Sequence, residues 1–400
     1  MRPERSSGVT DAPLRVRHLL KGLGPGGAER LVVSQVTSSL SDGSPADGRA
    51  VGDGSHGKDG AVHYDVAYTL AHKDHLVAEL HRHDITTHCL LATGTLRPGW
   101  IRRLRRLLRE DPVDIVHVHS PVVAAATRLI VRTMSRHHRP LVVGTEHNRW
   151  PRHHRLTRWA NRITIGWQDV TIAVSEDVRS TMSARAARRT EVVLHGIDLD
   201  GVRATADRAG ARAELGIADD DILVVCVANL RREKALEVLL EAAIQAQCDE
   251  PRLRHVVVGQ GPRADRLADL VARSPVASRF ALLGYRADAT RIISAADIFS
   301  LSSRHEGLPV ALMEALALGV PVAATAAGGI PEAIGMAGLT VAVDDHRALG
   351  AAQVELADDA SLRAELADVA TAEAERFSVT RATATIEQIY RTASARAREA

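Results

Sequence analysis

The chain has little of what would make it disulfide-stapled, membrane-spanning or disordered. Its three cysteines, Cys89, Cys226 and Cys248, are too few and too scattered for a disulfide framework or a zinc cluster. No stretch approaches the ~18–20 uncharged apolar residues of a spanning helix. The opening MRPERSSGVTDAPLRV has no apolar core of signal-peptide length. The expected location is therefore cytoplasmic, with peripheral association at the inner face of the membrane as the second expectation. Aromatic residues make up only 3% of the chain and no nucleic-acid-binding module is recognisable, so no nucleic-acid partner is expected.

What remains is the composition of a soluble globular protein, 45% apolar and 25% charged. Its 400 residues suggest two domains at roughly 150 residues each. The net charge of +2 hides an asymmetry. Residues 1–190 carry 29 Lys and Arg against 18 Asp and Glu, and residues 191–400 carry 22 against 31. Fifteen of the 19 histidines also lie in the first part. A basic first half predicts that this half meets something anionic, such as a membrane surface or a phosphorylated acceptor.

Short runs of Val, Ile and Leu alternate with amphipathic stretches. Expected strands are Leu14–Leu20, Val66–Leu70, Ile115–Val118, Leu141–Thr145, Val170–Val174 and Glu191–Leu194, then Ile222–Ala228, Arg254–Val258, Phe280–Leu283, Ile298–Leu301 and Val320–Ala324. Such alternation predicts an α/β protein of two doubly wound parallel sheets. The expected division is a flexible N-terminus at 1–12, a first domain at 13–198, a second at 199–378, and a C-terminal helix and tail at 379–400. Residues 41–60, SDGSPADGRAVGDGSHGKDG, read as a flexible insertion.

Five features fall at expected strand ends, where doubly wound folds bind ligands. The first is the glycine turn Gly22–Glu29, with Gly26 and Gly27. Its spacing does not match a dinucleotide fingerprint, which disfavours a Rossmann oxidoreductase. The second is His147 in Thr145-Glu-His-Asn, able to bond a hydroxyl or shuttle a proton; His117 and His119 flank another strand end. The third is Arg231, Arg232 and Lys234 before an expected helix. Cations are disfavoured at a helix N-terminus unless an anion such as pyrophosphate joins them. The fourth is Glu306-Gly-Leu-Pro through Glu314, in which Gly307 and Leu308 are expected to offer amides at a helix start and Glu314 to seek a donor in an apolar helix. The fifth is the pair Gly328 and Gly329. The commonplace alternatives are a tight turn, a surface histidine, a solvated charge cluster and a structural acid.

In this order, GPGGAE, the Ala173–Glu176 AVSE, Lys234, the Val257–Pro262 VVGQGP, the long Glu306…Glu314 signature and GGIPE resemble the family 4 retaining glycosyltransferases of the GT-B fold over roughly residues 13–395. The resemblance implies two Rossmann-like domains facing across a cleft, with the C-terminal helix returning to the first. It implies that Lys234 binds the donor pyrophosphate, Glu306 holds donor-sugar hydroxyls, Glu314 binds the nucleotide ribose, and His147 contacts the transferred sugar. Gly26 and Gly27 would line the cleft. The expected partners are a nucleotide-sugar donor, UDP ahead of GDP, and a sugar or lipid-linked acceptor. The chain departs from the family pattern at Asn229, where an arginine is usual, leaving Arg231 or Arg232 to substitute, and at His195-Gly-Ile-Asp. No Asp-x-Asp is placed for a metal, so no cofactor or required divalent ion is expected. Trp100–Arg109, five arginines among Trp100, Ile101, Leu104, Leu107 and Leu108, suits an anionic bilayer, the alternative being an ordinary core-facing helix. The rival functions are a catalytically silent nucleotide-sugar-binding subunit and another GT-B enzyme, such as a sugar-nucleotide epimerase or a phosphorylase.

Overall fold

The computed structural model describes residues 13–24, 26–41, 61–92, 99–152 and 154–399. The expected flexible segments 1–12 and 41–60 therefore lie outside the described residues, except Ser41, which closes the helix Gly27–Ser41. The chain forms two compact units, one of Met1–Gly196 with Val379–Ala400 and one of Ile197–Ser378.

Unit 1 holds seven parallel strands: β1 (Leu14–Leu20), β2 (Val62–Leu70), β3 (Thr86–Ala92), β4 (Ile115–Val118), β5 (Leu141–Glu146), β6 (Val170–Ala173) and β7 (Thr190–Val192). Their order in the sheet is β3-β2-β1-β4-β5-β6-β7. Unit 2 holds six: β8 (Ile222–Val227), β9 (Leu253–Val258), β10 (Phe280–Gly284), β11 (Ile298–Leu301), β12 (Val322–Thr325) and β13 (Gly338–Val341), in the order β10-β9-β8-β11-β12-β13. Both sheets start in the middle, run to one edge, then cross to the other side. The strand order reverses beside β1 and β4 in unit 1 and beside β8 and β11 in unit 2, which opens a crevice at the carboxyl ends of those strands.

The central strands are apolar because helices cover both faces; β8, ILVVCV, is buried along nearly its whole length. Sequence reading missed β3 and β13. Both are edge strands, and β13, GLTV, is nowhere fully buried, so neither carries the dense apolar run that marks a central strand. The first four residues of β2, Val62-His-Tyr-Asp, were missed for a related reason. They alternate apolar and polar residues and leave His63 exposed.

The C-terminal helix Val379–Glu399 packs on unit 1, where Ile386, Ile389 and Tyr390 join a core with Val32, Val33 and Val36. Glu387 accepts hydrogen bonds from Ser39 and Tyr64, both at 2.9 Å. Deeper in the unit, the fully buried Arg17 grips Asp65 with two nitrogens, at 2.5 and 2.9 Å, and Asp111 at 2.6 Å. Among the described residues no helix is long and apolar enough to cross a membrane.

Candidate active site

In unit 2 the sequence motifs meet at the crevice. The loop after β8 brings Lys234, and the loop after β11 brings Glu306. Lys234 Nζ lies 2.5 Å from Glu306 Oε1, which also accepts a 2.6 Å hydrogen bond from Ser303 Oγ. Both side chains are largely covered, at 19% and 9% exposure. A carboxylate this enclosed is stable only with such partners. The two loops are tied together by their backbones as well. Ser302 Oγ donates to the carbonyls of Lys234 and Ala235, and Arg304 N to that of Glu233 at 2.8 Å. Ala235 follows in the left-handed region at φ 47°, an unfavourable conformation for a residue with a Cβ.

Gly328 and Gly329 support this arrangement from β12. Gly328 has φ 60°, and a Cβ there would sit 2.0 Å from the Glu306 carbonyl oxygen. Gly329 N donates to the Gly307 carbonyl at 3.0 Å. The pair therefore lets one backbone press against the loop that carries Glu306. Gly259 and Gly261, in the VVGQGP segment, do the same for the loop after β8, where a Cβ would meet the carbonyls of Ala228 and Leu230.

Two expectations need correction. Gly307 and Leu308 do not open the following helix. The helix is Val310–Ala317, capped by Pro309, so the open amides of its first turn belong to Val310 and Ala311. The cations Arg231, Arg232 and Lys234 do not sit in a helical first turn either. Arg232–Lys234 form a separate 3₁₀ turn, and Ala235 breaks the chain before the helix Leu236–Asp249. Arg231 and Arg232 are exposed, and no ion pair joins either side chain to a described residue. Glu314 is partly exposed on its helix, on the opposite side from the fully buried Leu312, Met313 and Leu316.

In unit 1, Gly22 packs its backbone on Lys73, and Gly26 and Gly27 precede and begin the helix Gly27–Ser41. His147 follows β5 and is one of five histidines gathered at the strand ends. His18 Nδ1 lies 2.9 Å from His119 Nε2, and His119 Nδ1 lies 3.1 Å from His147 Nε2. His147 stacks on His195 with centroids 5.0 Å apart. His117 is held by Tyr390 at 2.5 Å and Thr145 at 2.7 Å. Burial drives all five toward the neutral form, His18 down to about 3 and His195 to about 4. Nitrogens of His18, His117 and His119 lie close enough to share a metal ion; both nitrogens of His117 and His119 and Nδ1 of His18 are engaged with one another, His147, Tyr390 or Thr145.

The hydrogen bonds assign tautomers to this chain of neutral rings. His18 Nε2 is buried and has no partner among the described residues. An orphaned buried N–H is less tolerable than an unmatched lone pair. The proton therefore sits on His18 Nδ1 and on His119 Nδ1, each donating along the chain, and His147 is protonated at Nδ1. His18 and His195 carried no sequence signal for this role; the only hint was histidine recurring at strand ends.

The Trp100–Arg109 helix gives a further correction. Trp100, Leu104 and Leu108 are buried in the core with Leu19, Leu70 and Leu90, so the apolar stripe expected at a bilayer faces inward.

A family model described as Glycosyltransferase Family 4 matches residues 57–200, and one described as Glycosyl transferases group 1 matches residues 221–359. The chain is 27% identical over 265 residues to glycosyltransferase EpsD of Bacillus subtilis, covering 62% of this chain and 68% of that one. It is 28% identical over 216 residues to the lipopolysaccharide core biosynthesis mannosyltransferase LpsB of Rhizobium meliloti, covering 51% of this chain and 62% of that one. Anabaena Alr3699/HepE, solved in complex with UDP-glucose, matches with a TM-score of 0.76 at 20% identity, covering 94% of this chain and 99% of that one. With two Rossmann-like units and matches spanning both, the chain belongs to the family 4, group 1 glycosyltransferases of the GT-B fold.

Proposed function

We propose that the chain is a retaining glycosyltransferase that moves a hexose-type sugar from a nucleotide-sugar donor to a hydroxyl acceptor. A UDP-sugar is the first choice of donor and a GDP-sugar the second. The acceptor class is a lipid-linked, glycolipid or polysaccharide intermediate. The observation that carries this reading is the Lys234–Glu306 pair at the reversal point of the unit 2 sheet.

Departure of the nucleotide builds negative charge on its phosphate and positive charge on the sugar ring. Lys234 has ammonium hydrogens beyond the one facing Glu306 and is the donor to the pyrophosphate. The amides of Val310 and Ala311 add a helix terminus that favours the same charge. Glu306 holds sugar hydroxyls beside the anomeric carbon, and Glu314 the nucleotide ribose. Arg231 and Arg232, exposed in the same loop, are the replacements for the arginine missing at Asn229. In unit 1, His147 donates through Nδ1 to a sugar hydroxyl. Because it is held neutral, it acts as a hydrogen-bond donor rather than as a cation. Transfer needs no divalent ion on this reading, because the phosphate charge is met by cations of the chain.

The test is transfer from UDP- and GDP-sugars with and without a chelator. Lys234→Ala is expected to cost about 3 kcal/mol of transition-state stabilisation, or 10²-fold or more in rate, with donor binding weakened, and to lower the melting temperature because Glu306 loses its ion pair. Donor binding without turnover across a broad acceptor panel would instead indicate a silent subunit. Epimerisation without an acceptor would indicate the other enzyme class. Activity lost to chelator and restored by manganese would refute the metal-free reading.

A further inference from the structure

The apolar stripe that the Trp100–Arg109 helix turns inward has a counterpart that unit 1 turns outward. In the helix Arg155–Thr164, Leu156 is 64% exposed, Trp159 63% and Ile163 49%, and Trp167, one turn further on, 38%. Leu156, Trp159 and Ile163 are spaced i, i+3, i+7 and so share one face, and Trp167 follows in the 3₁₀ turn Ile165–Trp167. Directly beside them run Arg155, Arg158 and Arg162, all exposed, and none is paired with a described carboxylate.

The orientation has an identifiable cause. Arg128, on the helix Pro121–Arg132, is 1% exposed. A buried guanidinium needs polar partners. Its Nη1 donates to Asn161 Oδ1 at 2.8 Å and to Thr164 Oγ1 at 3.1 Å, and its Nε to Gln168 Oε1 at 2.8 Å. Asn161 and Thr164 must therefore face inward, which rotates Leu156, Trp159 and Ile163 into solvent. A soluble helix normally does the reverse. The chemistry around the stripe is of one sign: residues 147–168 contain no Asp or Glu. The segment also begins at the candidate site, since His147 is followed three residues later by Trp150, which leads into this helix.

We propose that the outward face of Arg155–Trp167 docks on an anionic lipid bilayer. Leu156, Trp159, Ile163 and Trp167 would enter the headgroup boundary, with the three arginines on lipid phosphates. Docking there brings the His147 loop to the bilayer, where a lipid-linked acceptor would be found. That last step rests on the proposed function; the docking itself does not.

The experiment uses the full chain and phosphatidylcholine vesicles with or without phosphatidylglycerol. Trp100 and Trp150 are buried, at 2% and 4% exposure, so Trp159 and Trp167 should dominate any spectral response. The expected result is co-sedimentation with the anionic vesicles only, together with a blue shift of tryptophan emission. Leu156→Ser with Trp159→Ser should abolish binding without lowering the melting temperature, because both side chains are on the surface. Each of Arg155→Gln, Arg158→Gln and Arg162→Gln should weaken binding about fivefold, and added salt should weaken it further. Absence of binding overturns the proposal. So does binding that survives these changes but is lost in Arg105→Gln with Arg106→Gln, and so does a lipid-free dimer that Trp159→Ser dissociates. Vesicle binding needs no donor, so its failure leaves the transferase reading standing, and loss of transfer leaves docking standing.

Discussion

The two units share one topology and use it for different chemistry. At the reversal point of unit 2 the strand ends carry a Lys–Glu pair held by serine and glycine loops. Across the strand ends of unit 1 lie five imidazoles kept neutral by burial. Unit 2 thus presents a paired cation and carboxylate at its strand ends, and unit 1 uncharged hydrogen-bonding rings. Topology fixes where a site lies, and side chains decide what it does.

Acid should separate the units most. A buried histidine whose folded pKa is lowered stabilises the fold above its unfolded value near 6.5, and that stabilisation is lost as pH falls toward the folded value. For His18 and His195 the window runs from about 6.5 down to about 3 and about 4. In unit 2, His255 is lowered in the same way, to about 4, by burial. Urea unfolding at pH 7 and pH 5 should show unit 1 losing several kcal/mol and unit 2 far less. Equal losses would erase the contrast.

Buried charge should separate them next. Arg17→Ala leaves Asp65 and part of Asp111 unpaired inside unit 1 and is expected to cost about 3–5 kcal/mol there. In unit 2, Arg286 and Arg291 pair with Glu214 at the surface, and Arg291→Ala should scarcely move its melting temperature. A backbone change sharpens the comparison from the side of unit 2. Gly328→Ala adds at least the ~1–2 kcal/mol of left-handed strain and pushes on the Glu306 carbonyl, so kcat should fall while the acid profile of unit 1 stays put.

Much of this was legible in the residues. Dense Val, Ile and Leu runs marked the central strands, and the glutamate signature pointed to the loop after β11, where Glu306 meets Lys234. What escaped detection depended on partners distant in sequence. The stripes at Trp100–Leu108 and Leu156–Ile163 are alike in spacing, yet one faces in and the other out. The difference is made by Arg128, whose burial no periodicity reveals. Ser303 beneath Glu306 and His18 behind His119 were unreadable for the same reason.

The return of the last helix also sets an order of assembly. Unit 2 is one continuous stretch, Ile197–Ser378, and leaves the ribosome whole, whereas unit 1 is begun first and finished last. Until Ile386, Ile389 and Tyr390 emerge, the core that holds Val32, Val33 and Val36 is incomplete and His117 lacks its tyrosine. Nascent chains stalled before Val379 should therefore hold a folded second unit beside a first that still recruits chaperones, even though the first was synthesised earlier.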